Sequence, residues 1–128
     1  MSINFKREIA GTFDQAIERA TKALGAEGFG VLTRIDMHSK IKEKTGKDIV
    51  PTVILGACNP NLAYEAYTAN SDVASLLPCN AVIREVAPGK VSVEFVKPTA
   101  MMTILGDAKL AKLASEADVK IERALSNV

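Results

Sequence analysis

The side chains with the most chemistry to offer are two cysteines, each followed by an asparagine: Cys58-Asn59 and Cys79-Asn80. Two thiols brought together form a redox pair or supply two soft ligands to a metal. The plainer reading is that both are small buried apolar side chains, which is how free cysteine usually behaves. No close Cys–Cys or Cys–His spacing of the kind that marks zinc sites accompanies them. The asparagines also have structural work available. Asn59 precedes Pro60, and Asn suits a helix N-cap as Pro suits the first helical position. Asn80 is placed to bond backbone at the same junction. A polar ligand pocket built from these four residues is the remaining reading.

Arg84 is a fifth candidate, because Val82 and Val86 share its strand face and a charge sits poorly there. It binds an anion or pairs with a carboxylate across the sheet or a dimer. His38 is the sole histidine, and histidine is the commonest general base and metal ligand. It follows the second predicted strand whereas Cys58 ends the third, so antiparallel pairing puts the two at opposite ends of the sheet. That separation argues against a joint Cys–His metal site and leaves His38 an exposed first-turn or loop residue. Gly28-Phe29-Gly30 enters a strand rather than a helix, so it lacks the context of a dinucleotide fingerprint. Gly46-Lys47 and Gly89-Lys90 lack the Ser or Thr of a P-loop. No catalytic constellation and no cofactor motif is present; the metal set is empty and the cofactor unknown.

The elements that must position these residues are legible from periodicity. Ile3 to Glu8 is the first strand. Thr12 with Gln15 predicts a capping box, and Phe13, Ile17, Ala20 and Leu24 predict an amphipathic helix over 13–25. Phe29 to Asp36 is the second strand, with Phe29, Val31 and Ile35 on one face. A short polar helix, Met37 to Thr45, follows with Asp36 as N-cap and Gly46 past its end. Val50 to Cys58 is a buried third strand, and the helix opened by Asn59-Pro60 ends at Asn70-Ser71. Val73 to Leu77 is one loose turn. Cys79 to Val86 and Lys90 to Val96 form a hairpin around Pro88-Gly89. After a short apolar turn, Ala100 to Leu105, Asp107 caps a long helix striped by Leu110, Leu113, Ala117, Ile121 and Leu125. This is an α+β order, β-α-β-β-β-β-α, predicting one mixed, mainly antiparallel sheet. Its two long helices pack on one face, with helical insertions after strands two and three and an initial parallel crossover.

The totals bound the function. A chain of 128 residues, 48% hydrophobic and 24% charged, makes one globular domain. With 16 basic and 15 acidic side chains there is no basic field for phosphates. Without tryptophan, and with two tyrosines, a base-stacking platform is also absent. Nucleic acid is therefore excluded as the expected partner. No apolar run approaches the roughly 20 residues that span a bilayer, and MSINFKREIA carries charge where an export signal needs its apolar core. The expectation is a cytoplasmic protein without a membrane partner.

Four stretches are distinctive: GFGVLTRID (28–36), KEKTGKD (42–48), ILGACNPNLAYEA (54–66) and LLPCNAVIRE (76–85). In this order they resemble the bacterial and archaeal domain-of-unknown-function family 302, over nearly the whole chain. The resemblance implies a β-α-β-β-β-β-α domain of the TATA-binding-protein-like class, commonly a homodimer, with no established activity. Thr45 stands where the family pattern implies an aliphatic residue.

Three functional classes follow: a dimeric small-molecule or regulatory binding domain without catalysis, which is preferred; a thiol-dependent redox or metal-binding protein using Cys58 and Cys79; and a structural protein-interaction module. Apolar runs precede both cysteines, predicting a slow thiol at Cys58 and intermediate reactivity at Cys79, which follows Pro78 at a loop end. Met101, Met102, Ile104 and Leu105, with Val73, Leu76 and Leu77, exceed what one helix stripe needs and suggest an interface. Light scattering at micromolar concentration is expected to return a homodimer mass; a monomer mass would defeat this expectation.

Overall fold

Helix ends in this protein are set largely by side chains adjacent in sequence. In the computed structural model, which describes residues 2–128, strand β1 (Asn4–Ala10) leads to helix α1 (Phe13–Ala26). Thr12 Oγ1 accepts the Gln15 N–H at 3.1 Å, and Gln15 Oε1 accepts the Thr12 N–H at 3.0 Å. That reciprocal pair is the predicted capping box. After β2 (Gly30–Asp36), α2 (Met37–Thr45) begins without its predicted cap. The Asp36 carboxylate instead accepts from Arg34 at 3.0 Å, an interaction across one residue of strand that competes with capping. Gly46, at φ 72°, closes α2 as expected. β3 (Thr52–Cys58) runs into α3 (Pro60–Ala69), a 3₁₀ turn (Ser71–Leu76), and then the hairpin β4 (Cys79–Ala87) and β5 (Lys90–Val96). The predicted turn at 100–105 is a short helix, α4 (Pro98–Met102), and a further 3₁₀ turn (Thr103–Leu105). Asp107 then caps α5 (Ala108–Ser126) by accepting from the Lys109 and Leu110 amides at 2.8 and 3.2 Å.

The five strands form one sheet in the order β1-β5-β4-β3-β2, and every neighbouring pair is antiparallel. The fold is therefore α+β with a purely antiparallel sheet. The crossover through α1 does join two strands of like direction, but they lie at opposite edges, so no parallel ladder forms. A bulge between Val31 and Thr33 changes the phase of β2. Val31 pairs with Ala57 and packs on the core, whereas Ile35 pairs with Ile54 on the other face and is 43% exposed. The sequence expectation that Phe29, Val31 and Ile35 share a face fails there, because one extra residue inverts a period of two.

One sheet face is covered by α1 and α5. Val53 and Leu55, Ala81 and Ile83, and Val91, Val93 and Phe95 meet Ile17, Ala20 and Leu24 of α1 and Ile121 and Leu125 of α5. Arg7, at the edge of this face, donates to the carbonyls of Leu125, Ser126 and Val128 at 3.1, 2.9 and 3.3 Å. The guanidinium thus answers the unpaired oxygens at the C-terminal end of α5. Glu27 and Arg123 tie the ends of α1 and α5 at 2.8 Å, and the guanidinium holds the Glu27 carboxyl below its ordinary range.

A second, smaller cluster gathers Ala66, Val73, Met102, Leu110 and Ala114, with Leu76, Leu77, Leu105 and Leu113 against it. Most of the apolar excess that suggested an interface is therefore spent inside the protomer; Met101, half-buried outside this cluster, and Ile104, at 68% exposure, are the exceptions. The N-terminal half of α5 serves this cluster and the C-terminal half serves the sheet.

Ile121 is buried and Glu116 exposed, as the helix stripe requires. Ile121→Ala is expected to cost about 2–5 kcal/mol, and Glu116→Ala less than about 0.5 kcal/mol. Urea midpoints for the two variants measure the difference, and comparable shifts would show the phase of α5 to be wrong.

Candidate functional site

The β3–β4 pairing decides where the thiols go. Ala57 stands opposite Cys79 and Gly56 opposite Asn80, while Cys58 stands opposite Gly30 of β2. Both cysteines therefore lie at one end of the sheet, as the sequence predicts from an antiparallel pair. They are not directly facing partners, and both thiols are free.

At this sheet end the two core clusters meet imperfectly. Ala57, Ala63, Ala66, Ala114 and Ala117 are small side chains along the seam between β3, α3 and α5, and they leave a cavity of about 50 Å³. Phe29, Leu62, Leu77, Leu110 and Leu113 complete most of its wall, with Pro98 and Met102 from α4. Cys58, Asn59 and Cys79 supply its polar atoms, and no charged side chain lines it.

Asn59 is largely committed. Its Oδ1 accepts the Leu62 N–H at 3.2 Å, capping α3 as predicted. A Cβ on Gly28, which has φ +84°, would stand 3.0 Å from Asn59 Nδ2, so only glycine suits both the backbone and the contact there.

Burial pushes the Cys79 thiol up to about 11, with neighbouring Cys58 and Asp118 adding to the effect. Cys79, like Cys58, is half-buried, and a thiol raised in this way reacts more slowly than one at its ordinary value. Asp118, which sequence reasoning missed, accepts from the Thr99 amide at 3.0 Å and its hydroxyl at 2.7 Å. It thereby holds the first turn of α4, the wall carrying Met102, against α5. Asp118 has no short-range signal, since its partner is on another helix.

The other candidates go elsewhere. Asn80 is exposed and turns to the helix-free face, in a groove with Leu76, Pro78, Val82 and Val96. Arg84 lies on that face and donates to the Glu94 carboxylate. Glu94 is 5% exposed and also meets Lys6 at 3.7 Å and Asn4 Nδ2 at 3.3 Å. A buried carboxylate with these partners satisfies the arginine, choosing the cross-sheet pair over an anion site. His38 lies at the far end of the sheet. Its Nδ1 accepts the Thr52 N–H at 3.0 Å, and its ring meets Phe13 edge-on with centroids 6.0 Å apart. It is a half-buried first-turn residue pinning the start of β3 rather than an exposed one. Among the described residues no group of three or more His, Cys, Asp and Glu side chains is placed to hold a metal, and no helix is long and apolar enough to cross a membrane.

A five-stranded antiparallel sheet with two long helices on one face, and a cavity where its third and fourth strands meet the helical insertions, defines the class as an α+β domain. The chain matches the domain of unknown function DUF302 over residues 5–128 and belongs to that family. It is similar to the crystal structure of an uncharacterized conserved DUF302 protein from Bacillus stearothermophilus, with 29% identity and a TM-score of 0.90. That similarity covers 99% of this chain and 98% of the other. The sequence matches no curated protein.

The raised Cys79 thiol makes a stability prediction. Below the ordinary thiol value near 9.0 both folded and unfolded chains are protonated, so its stabilisation is fully present. As pH rises towards about 11 the unfolded chain ionises first and stability falls, by on the order of 2–3 kcal/mol for a shift of this size. Urea midpoints across this window should fall more steeply for the native sequence than for Cys79→Ala. Parallel curves, or reaction of the folded protein with a disulfide reagent within seconds at neutral pH, would contradict the burial of this sulfur.

Proposed function

We propose that this chain is a non-catalytic binding domain, acting as a homodimer, that takes a small apolar or soft ligand in the cavity beside Cys58 and Cys79. The observation that carries this reading is the cavity's lining: apolar side chains with two thiols, and no charged group. Proton-transfer catalysis needs a titratable group near the operating pH within reach of the substrate. Here one thiol is held far above that range. The same shift denies Cys79 the low pKa that a redox nucleophile needs. A pure interaction module has no use for a cavity at its sheet end. Free thiols at neighbouring positions suit a reducing, cytoplasmic setting.

The dimer reading now draws on a different surface from the one that prompted it. The helix-free sheet face carries Ile35, Ile54 and Val82 at paired positions, and a second copy covering them would bury apolar area left unprotected in one protomer.

Dry apolar cavities take up xenon. Xenon pressure should shift the NMR methyl signals of Leu62, Met102 and Leu113 in the native chain, and Ala114→Leu, which fills the space, should abolish those shifts. Shifts absent in the native chain, or scattered away from this seam, would remove the binding site and the proposed function with it.

A further inference from the structure

Three sulfur-bearing side chains from separate parts of the chain line the same cavity: Cys58 at the end of β3, Cys79 at the start of β4 and Met102 at the end of α4. We infer that this cavity binds a soft monovalent metal ion, Cu(I), on the sulfurs of Cys58, Cys79 and Met102. The inference rests on the cavity being the binding site.

Size is the first argument. The space of about 50 Å³ is far below the roughly 300–1,000 Å³ of sites for drug-sized organic ligands. A bare ion needs little room. Donor chemistry is the second. Thiolate and thioether sulfur select Cu(I) among the common metals, whereas Mg, Ca and Mn prefer carboxylate, carbonyl and water oxygens. No carboxylate lines the cavity. Structural zinc calls for four tetrahedral Cys, His or carboxylate ligands, and only two such side chains are present.

Charge is the third argument. Phe29, Leu110 and Leu113 form part of the wall, so a bound cation must be neutralised within its own coordination sphere. The Cys58 S–H bond breaks, its proton passes to solvent, and a sulfur–copper bond forms with no change in oxidation state. The resulting thiolate cancels the ion's positive charge, and the sulfurs of Cys79 and Met102 complete the sphere. Asp118 holds the N-terminal turn of α4 through Thr99, which steadies the wall that carries the thioether.

The test is anaerobic titration of the full chain with Cu(I) in competition with bathocuproine disulfonate, followed by X-ray absorption at the copper edge. The expected result is stoichiometric uptake with sulfur as the only near scatterer. Cys58→Ser should abolish uptake. Met102→Leu, which conserves volume and should stay folded by its thermal melt, should weaken it by roughly ten- to hundredfold, the range typical of supporting groups at metal sites. Failure to compete for copper, nitrogen or oxygen scatterers, or unchanged affinity in folded Met102→Leu would each overturn the inference. If xenon still enters while copper does not bind, the cavity stands and the metal falls. If neither enters, the binding-site reading falls as well.

Discussion

The close approach of backbone and side chains at Gly56 governs the arrangement of the site. Gly56 lies between Thr33 of β2 and Pro78 just before β4. A Cβ there would overlap Thr33 Oγ1 and stand 2.7 Å from Pro78 Cγ. The absent side chain lets Pro78 rest on the sheet, and the next residue, Cys79, then pairs opposite Ala57. Shifting this pairing by one residue would exchange the faces of Ala81 and Ile83 with those of Asn80 and Val82. The faces of these four residues and the cavity wall therefore depend on a hydrogen atom at one position.

The two sheet faces solve different physical problems. The covered face follows the ordinary logic of alternating apolar residues beneath helices. The helix-free face keeps Glu94 buried by surrounding it with Arg84, Lys6 and Asn4. A carboxylate so placed is costly unless paired, and breaking such pairs is generally worse than never having them. The network thus specifies which side chains lie over the centre of the open face, and it removes Arg84 from the pool of free cations.

The cavity is a consequence of having two apolar clusters rather than one. Helix α5 serves the sheet with Ala117, Ile121 and Leu125 and the helical insertions with Leu110 and Ala114. Where its allegiance changes, alanines occupy the positions of contact. Small side chains let elements approach without filling every gap, and an interior otherwise close-packed retains one space bordered by sulfur. In this way a packing seam becomes a candidate site.

Local signals in the sequence were sufficient for much of this. The Thr12–Gln15 box, the Asn59-Pro60 start, the Asp107 cap and the Gly46 stop each act within a few residues, and each is realised except the cap at Asp36. The alternation of β5 and the stripe of α5 assign their buried faces because periodicity is itself a local property. The common sheet end of Cys58 and Cys79 followed from strand direction alone. Tertiary structure decided what depends on register and distance: the bulge that turns Ile35 over, the opposite-edge placement of β1 and β2, and the divergence of Asn80 and Arg84 from the cysteines. It also decided that Glu94 answers Arg84, that Asp118 answers Thr99, and that Met102 joins the two thiols. None of these partners is near in sequence, so no short window contains both members of a pair. They meet only once burial of the two clusters has fixed the orientation of the helices on the sheet.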